Sequence, residues 1–155
     1  MEGFITEALM EDLPDILNLQ KKAFERVAME EDNFNISPMT QTLENITEEY
    51  EKRLFLKYIL DGKIIGSVRA HLDSDSVCHI GRLIVHPDFQ NRGIGKALMK
   101  EIENRFNDCS RYEIFTGYNS KNSIALYKKL GYVETSVKDV DGVCMVFLKK
   151  DNKSL

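Results

Sequence analysis

The stretch Gln90-Asn91-Arg92-Gly93-Ile94-Gly95-Lys96-Ala97 decides the fold. An apolar, strand-like run (residues 80–85) and the breaker His86-Pro87-Asp88 precede it, and an amphipathic helical pattern follows it to about Phe106. A strand, a glycine turn and a helix N-terminus in this order form an anion site, because the first helical N–H groups have no partner and the helix dipole is positive there. Glycines let a phosphate approach the backbone without a Cβ in the way. The stretch therefore predicts a phosphate-bearing ligand at residues 90–97.

Two common nucleotide-binding motifs do not fit this stretch. The dinucleotide fingerprint G-x-G-x-x-G places its third glycine where this chain has Leu98. A P-loop requires Ser or Thr after Gly-Lys, and here Ala97 follows Gly95-Lys96. Neither a Rossmann fold nor a P-loop fold is predicted.

The pattern that does fit is Q-x-x-G-x-G-[KR]-A-L, preceded by Leu83-Ile84-Val85-His86-Pro87. It resembles the acetyl-CoA signature [QR]-x-x-G-x-[GA] of the GNAT superfamily of N-acetyltransferases, whose loop amides hold the CoA pyrophosphate. The resemblance implies that acetyl-CoA binds here as acyl donor, with its pantetheine arm paired to the strand before the loop. It assigns cofactor binding to Leu83, Ile84, Val85, Gln90, Asn91, Arg92, Gly93, Ile94, Gly95 and Lys96. The alternative is a tight strand–helix turn without a ligand.

A second motif supports the same resemblance. Ser123-Ile124-Ala125-Leu126-Tyr127-Lys128-Lys129-Leu130-Gly131-Tyr132 is similar to the later family motif [AS]-I-x-L-Y-x-K-x-G-[FY]. By position, Tyr127 contacts the cofactor and is the acid that protonates the leaving thiolate; the alternative is a packing role. The family often has Asn seven positions earlier, where this chain has Ser120. Asn119, Ser120 and Asn122 are therefore the candidates for contacts with the pantetheine arm.

The base that would deprotonate an acceptor amine is less clearly indicated. Some family members carry an acid two to four residues before the position of Val85, but this chain has Gly81-Arg82-Leu83 there. His79, on the same strand face as Gly81, and Glu113, on the next predicted strand, are the candidates. Water is an alternative proton carrier, and His79 is equally well explained as a structural histidine.

Two arginines are candidate contacts for the acceptor. Arg69 and Arg82 have the planar donor geometry that clamps a carboxylate. They are also compatible with ordinary arginines on a sheet surface. The acidic Glu30-Glu31-Asp32 lies in a predicted loop that is either solvated or, by the resemblance, part of the acceptor site.

Composition predicts one domain (residues 1–150) with a polar tail (residues 151–155). A net charge of −4 makes nucleic acid an unfavourable partner, and no apolar run reaches membrane-spanning length. The N-terminal Met1-Glu2-Gly3-Phe4 lacks signal-peptide features. The three cysteines have no metal-ligand spacing, which predicts reduced thiols, no metal and a cytoplasmic protein.

The hydrophobic patterns predict the order β-α-α-β-β-β-α-β-α-β-β. Strands are expected at 4–9, 53–60, 63–72, 77–85, 112–116, 132–140 and 143–149, with helices starting near Asp12, at Ser37-Pro38, after Gly93 and at Asn119-Ser120. The second helix is expected to bury Leu43, Ile46 and Tyr50. This order resembles the GNAT arrangement: an α+β (three-layer α/β) fold with a mixed, mostly antiparallel central sheet flanked by helices.

The function that the resemblance implies is N-acetyl transfer from acetyl-CoA by direct attack of an acceptor amine, on a small molecule or a peptide. The alternative is a CoA-binding sensor or regulatory module without turnover, and a third is a structural role in a complex. The family resemblance also makes a homodimer an option, and no membrane partner is expected.

Overall fold

The computed structural model of the chain describes residues 3–153; Met1, Glu2, Ser154 and Leu155, which belong to the predicted leader-free N-terminus and polar tail, lie outside the described residues. The elements, in chain order, are strand β1 (Phe4–Glu7), a 3-10 turn (Met10–Asp12), helices α1 (Leu13–Glu30), α2 (Ser37–Thr40) and α3 (Leu43–Tyr50), strands β2 (Leu54–Leu60), β3 (Lys63–Leu72) and β4 (Val77–Val85), a 3-10 turn (Pro87–Phe89), helix α4 (Ile94–Arg105), strand β5 (Arg111–Gly117), helix α5 (Lys121–Lys129), and strands β6 (Val133–Val140) and β7 (Val143–Asp151).

The seven strands form one mixed sheet in the order β1-β2-β3-β4-β5-β7-β6. All neighbouring pairs are antiparallel except β4 and β5, which are parallel. The predicted fold class, a mostly antiparallel sheet flanked by helices, is confirmed. The parallel pair is the one that needs a crossover helix, and α4 provides it.

Two tight hairpins join long strands where the sequence has Asp-Gly. Asp61 and Gly62 have φ of 52° and 77°, and Asp141 and Gly142 have φ of 53° and 82°. Two consecutive residues with positive φ are the requirement of a type I′ turn, whose twist matches that of the flanking strands. Asp-Gly therefore fixes the register of β2 with β3 and of β6 with β7.

The first strand and the first helix begin where the sequence predicts, but the strand ends earlier. Strand β1 ends at Glu7, before the expected Leu9, because the chain turns there and the Leu9 amide donates to Asp12 Oδ2 over 2.7 Å. The same oxygen lies 2.5 Å from Lys57 Nζ. Asp12 therefore closes the 3-10 turn before α1 and ties it to β2 through an ion pair.

The predicted second helix is wrong as one continuous element. It splits into α2 and α3 because Gln41 is extended, with ψ of 133°. Thr42 then caps α3, its Oγ1 accepting from the Asn45 amide over 3.1 Å. A threonine at the N-cap satisfies one of the amides that a helix start leaves unpaired, and this local signal outweighs the longer hydrophobic period.

Helix α5 ends just before Gly131, whose φ is 101°. The Tyr132 amide donates to the Tyr127 carbonyl over 3.0 Å, and the Gly131 amide donates to Lys128 over 3.1 Å. This pair of bonds is a Schellman cap, which requires the left-handed conformation that glycine adopts without strain. The cap fixes the end of the helix that carries Tyr127.

Helices cover both faces of the sheet. Neighbouring residues of β2 point to opposite faces: Phe55 packs with Ile16 of α1 and Ile46 of α3, whereas Leu56 belongs to the cluster with Leu98 and the rest of α4. The last turn of α1 and the residue before α2 extend further across the sheet, since Ala28 and Ile36 pack on Val143 of β7. The α1–α2 region thus spans from β4 to β7 over one face of the sheet.

Strand β7 ends at Asp151, two residues beyond the predicted Lys149. The next residue, Asn152, is also held in place, because its side-chain amide donates to the carbonyls of Asn107 and Cys109 over 2.7 and 2.8 Å. The start of the predicted tail is therefore fixed to the chain before β5. Within residues 3–153, no helix has the length and apolarity needed to cross a bilayer.

Candidate active site

Strands β4 and β5 diverge and leave a gap inside the sheet. They are paired only through residues 77–79 of β4 and 111–113 of β5. From Ile80 to Val85, β4 is paired with β3 alone. Its backbone groups that face β5 have no strand partner there, so this part of β4 is an edge that an extended ligand with amide groups can join.

The glycine loop lies at the open end of this gap. Asn91 and Gly93 have φ of 63° and 82°, and Gly93 is the N-cap of α4. The first backbone bond of the helix is donated by Ala97 to Gly93, over 3.0 Å. No N–H group of residues 92–96 donates to an acceptor among the described residues. These unpaired amides lie at the positive end of a helix, which is the arrangement from which the sequence predicts an anion site.

The two glycines of the loop have different roles. A Cβ at Gly93 would meet nothing within 4 Å, so Gly93 is required for its positive φ and not for space. A Cβ at Gly95 would lie 3.7 Å from Leu83 and 3.5 Å from Leu126. Gly95 therefore lies between β4 and α5, and its missing side chain keeps the gap open beside the unpaired amides.

Three side chains of the loop have distinct surroundings. The Gln90 side-chain amide donates to the Val85 carbonyl over 3.2 Å, which ties the loop to the end of β4. The Arg92 guanidinium lies 5.1 Å from the centre of the Phe89 ring. Lys96 is exposed and unconstrained at the N-terminus of α4. Gln90 thus braces the loop, while the two cations flank its amides.

Tyr127 belongs to α5, on the other side of the gap from β4. It is 4% exposed and packs against Tyr132, with ring centres 6.1 Å apart. Its hydroxyl has no hydrogen-bond partner among the described residues, yet it is not one of the unpartnered atoms that are sealed from solvent. Burial raises the pKa of Tyr127 above its usual value. The phenol therefore stays protonated and is available as a donor at neutral pH.

The three residues predicted to contact the pantetheine arm lie in the loop before α5 and in its first turn. Asn119 is exposed, and its side-chain amide donates to Glu31 Oε1 over 3.2 Å. Ser120 occupies the N-cap position of α5 without a side-chain capping bond. Asn122 is exposed in the first turn. The contact between Asn119 and Glu31 brings the predicted acidic loop after α1 to the β5 side of the gap.

His79 and Glu113 face each other in register at the closed end of the gap. Glu113 Oε2 accepts from Arg111 Nε over 2.6 Å. His79 Nε2 lies 2.7 Å from Asp73 Oδ2, and its ring stacks on His71 at 5.0 Å. The structure therefore brings the two base candidates together, and it places them at the opposite end of β4 from the glycine loop.

Sequence reasoning missed Asp73 as the partner of His79. Its Oδ1 accepts from the amides of Asp75 and Val77 over 2.8 and 3.0 Å, while its Oδ2 contacts His79. The bond from His79 and that from Val77 lower the pKa of Asp73 to about 2. The turn signal Asp73-Ser74-Asp75-Ser76 was visible, but it does not show that the same carboxylate orients an imidazole.

The strand also contains a bulge that the sequence does not reveal. Arg69 is opposite Gly81 and Ser67 is opposite Ile84, so two residues of β4, Arg82 and Leu83, lie opposite the single Val68. A Cβ at Gly81 would meet nothing within 4 Å. The bulge therefore lies beside open space in the unpaired part of β4, next to Leu83, which lines the gap at Gly95.

The cysteines and the carboxylates form no metal centre in residues 3–153, where no cluster of three or more His, Cys, Asp or Glu side chains could hold an ion. Cys78 and Cys109 are buried free thiols and Cys144 is an exposed one. Burial raises the pKa of Cys78 to about 12, so this thiol is protonated and a poor nucleophile.

Comparison with known proteins agrees with this geometry. The model of the acetyltransferase (GNAT) family matches residues 13–132. The UPF0157 protein YqkA of Bacillus subtilis (strain 168) is 28% identical over 113 residues, which cover 71% of this chain and 32% of that protein. The uncharacterized N-acetyltransferase ycf52 of Pyropia yezoensis is 31% identical over 94 residues, covering 61% of this chain and 51% of that protein. The chain thus spans about a third and about half of these two relatives.

Solved structures share the fold at low identity. The PaiA N-acetyltransferase of Thermoplasma acidophilum, in complex with coenzyme A, superimposes with a TM-score of 0.82 at 19% identity, covering 97% of this chain and 99% of that one. The ribosomal-protein-S18-alanine N-acetyltransferase of Escherichia coli gives 0.79 at 17% identity, with coverage of 97% and 94%. A phosphinothricin acetyltransferase of Sinorhizobium meliloti, in complex with AcCoA, gives 0.77 at 17% identity, with coverage of 98% and 89%. These likenesses concern the fold; together with the family model, which matches most of the chain, they lead to one conclusion: this chain belongs to the acetyltransferase (GNAT) family.

Proposed function

We propose that this chain transfers the acetyl group of acetyl-CoA to an acceptor amine on a small molecule or a peptide. The observation that carries the proposal is the row of amides at residues 92–96, which have no acceptor and open onto the gap between β4 and β5. Two neighbours of the same fold were crystallised with coenzyme A or AcCoA, which supports this cosubstrate.

The chain offers a binding element for each part of the cosubstrate. The amides of residues 92–96 would bind the pyrophosphate, with charge from Arg92 and Lys96. The unpaired edge of β4 near Leu83 and Val85 would pair with the pantetheine amides as an added strand. Asn119, Ser120 and Asn122 lie at the start of α5, where they would contact the arm from the β5 side.

The reaction is direct transfer. The acceptor nitrogen attacks the thioester carbonyl, the C–N bond forms, the C–S bond breaks, and CoA leaves as a thiolate that must take up a proton. Tyr127 would donate that proton, because its hydroxyl is protonated, unpartnered and next to the gap. A backbone amide of β4 near Leu83 would stabilise the negative charge that develops on the carbonyl oxygen.

The acceptor amine must lose its proton before or during attack. His79 and Glu113 remain our candidates for this step. His79 is the better oriented of the two, because Asp73 holds its Nε2 while no described residue bonds its Nδ1. Leu83 is four positions after His79 on β4, about 13 Å at 3.3 Å per residue, so the proton would travel through water.

The long distance from His79 to Leu83 also favours one alternative function, because it leaves no base beside the reacting end of β4. This alternative is a CoA-binding sensor or regulatory module without turnover. One experiment separates the two. The chain is incubated with acetyl-CoA and a panel of amines, amino acids and peptides, and thiol release is measured alongside CoA affinity. Transfer predicts thiol release with at least one class of amine, whereas binding without release across the panel would favour the module.

The neighbours of the same fold indicate which classes of acceptor are compatible with it. One neighbour is named for a ribosomal-protein alanine and another for phosphinothricin, so this fold serves both protein and small-molecule acceptors. We further propose a cytoplasmic location, which gives the chain access to acetyl-CoA, and a possible homodimer is tested by measuring the mass in solution.

A further inference from the structure

The side chain of Arg82 is a largely buried cation without a counter-ion. Its Nη2 donates to Ser37 Oγ over 3.0 Å, and its guanidinium lies 6.0 Å from the centre of the Phe24 ring. Its Nε is sealed from solvent and has no hydrogen-bond partner. No carboxylate of residues 3–153 forms an ion pair with it. A buried guanidinium with an unused donor is costly unless something in the functional state satisfies it.

The charges around Arg82 do not balance. Glu49 is the one carboxylate of residues 3–153 that acts on Arg82, and it is already paired: its Oε2 lies 2.9 Å from Arg69 Nη1 and its Oε1 lies 3.1 Å from Arg53 Nη1. Gln41 donates to the same Oε2 over 2.7 Å. Arg53 and Arg69 thus share the one carboxylate, and the positive charge of the neighbouring Arg82 is in excess.

Arg69 is not available to a ligand in the way that Arg82 is. It is 1% exposed, its second nitrogen Nη2 donates to Gln20 Oε1, and its guanidinium lies 4.7 Å from the Phe55 ring centre. Burial, opposed by Glu49, lowers the pKa of Arg69 to about 9. Arg69 therefore holds α1, α3 and β3 together, and of the two arginines only Arg82 has a side-chain nitrogen that is sealed from solvent without a partner among residues 3–153.

The backbone gives an independent reason to look for a role of this side chain. Arg82 has a φ of 50° at the bulge of β4. Glycine adopts this left-handed conformation without strain, whereas a long side chain does not. Strained residues of this kind persist where the position of the side chain or backbone serves a site.

The bulge lies where an acceptor would enter. Leu83 points to the α4 side, where it lines the gap at Gly95, while Arg82 points to the α1–α2 side, where it contacts Phe24 and Ser37. The open space at Gly81 adjoins it. A molecule that reaches the reacting end of β4 from the α1–α2 side would meet the guanidinium first.

We propose that Arg82 binds a carboxylate of the acceptor, and hence that the acceptor class is an amine that carries a carboxylate close to the reacting nitrogen, such as a free α-amino acid. This inference rests on the acetyl transfer proposed above. The planar fork of the guanidinium has the geometry to bind a carboxylate through two parallel hydrogen bonds. The ion pair would both neutralise the excess charge and orient the amine.

The test compares matched acceptors with and without the carboxylate. Thiol release is measured with a panel of α-amino acids, with the carboxamide of each, and with the corresponding amine that lacks the carboxyl group. We expect the unmodified chain to prefer the amino acids. In Arg82→Gln, kcat/KM for the amino acids falls by about 30-fold or more, while that for the carboxamides and simple amines changes little. Arg82→Lys, which keeps the charge but loses the fork, falls between the two.

Two controls separate this effect from others. Arg26→Gln removes an arginine of α1 that is 82% exposed, and it should leave the preference unchanged. CoA affinity, measured by calorimetry, should be the same in Arg82→Gln; a loss of CoA affinity would mean that the cation serves the cosubstrate and would overturn the inference. Equal rates with the amino acids, their carboxamides and the amines that lack the carboxyl group would overturn it as well, while leaving the proposed transfer intact.

A chain that binds CoA but releases thiol with no amine would defeat the proposed function, and the role of Arg82 would then be decided by binding alone. The N-acetyl derivatives of the same amino acids are titrated into the CoA-loaded chain. Binding that weakens in Arg82→Gln and not in Arg26→Gln would support a carboxylate site. No binding by the unmodified chain would overturn it.

Discussion

The two ends of strand β4 share one strand but differ in nearly every physical property. At the closed end, residues 78 and 79 are paired on both sides and Asp73 fixes both the turn and the His79 ring. At the open end, residues 80–85 are paired on one side, a bulge interrupts the register, and Gly95 leaves space beside the strand. The difference shows that the groups proposed to bind ligands all lie at the open end and lack a partner within residues 3–153. They are the backbone amides of the glycine loop, one edge of β4 and the Nε of the Arg82 guanidinium.

The largest effect is expected from closing the open end. In Gly95→Asp, the Cβ itself is accommodated at ordinary van der Waals distances, but the carboxylate would enter the gap beside the amides of α4. We expect CoA affinity to fall by about 100-fold or more, because the new charge occupies and repels the place of the pyrophosphate. Calorimetry measures the affinity.

The same substitution carries its own control for folding. A negative charge in the first turn of a helix interacts favourably with the helix dipole, so Gly95→Asp should not destabilise α4. Gly95→Ala adds only the Cβ and should bind CoA much better than Gly95→Asp. Unchanged CoA affinity in Gly95→Asp would show that the cosubstrate does not use this gap.

The next effect concerns the acid at the open end. Tyr127→Phe removes the hydroxyl and keeps the packing against Tyr132, so kcat should fall by about 100-fold while CoA affinity stays within about threefold. Because burial raises the pKa of Tyr127, the phenol keeps its proton to a higher pH than a free tyrosine, and no loss of kcat from its ionisation should occur below about pH 10. Thiol-release rates across pH measure both. Equal turnover in the two proteins would reduce Tyr127 to a packing residue.

A smaller effect is expected at the closed end, where the base candidate His79 lies. His79→Gln should lower kcat/KM by about tenfold at pH 7, and the loss should shrink above pH 9, where an amine acceptor deprotonates without help. The pH profile of the rate is the measurement. The same loss at every pH would indicate that His79 only positions its surroundings, and Glu113→Gln is the matched variant for the other candidate.

The smallest effect on activity is expected from the turn itself. Asp73→Asn removes the charge that His79 and the Val77 amide stabilise, so the melting temperature should fall by a few degrees while CoA affinity is kept. The folded pKa of about 2 lies below the usual 3.8, so this carboxylate contributes stability above about pH 4 that is lost as the pH falls towards 2. Melting curves between pH 2 and 6 should show this loss in the unmodified chain and less of it in Asp73→Asn. Identical curves would contradict the assignment.

Much of this contrast can be predicted from the sequence. The glycine loop, the Asp-Gly hairpins and Gly131 carry local signals with a single physical meaning, and each adopts in the structure the positive φ that its residues favour. The break between α2 and α3 was also encoded, in Thr42, but the hydrophobic period concealed it. The bulge at Arg82 was not predictable, because arginine rarely adopts a positive φ and the register of β3 with β4 depends on the whole sheet. The partners of Arg69 were hidden for the same reason, since Gln20 and Glu49 come from distant elements.

The most direct measurement is a titration of the 15N-labelled chain with CoA, followed by NMR of the backbone amides. If CoA binds at the open end of the gap between β4 and β5, the largest chemical-shift changes should occur at residues 92–96 and 81–85. Residues 77–79 and 111–113, which pair with each other, should show almost none. Shifts centred on the closed end, or no shifts at saturating CoA, would contradict binding at the open end.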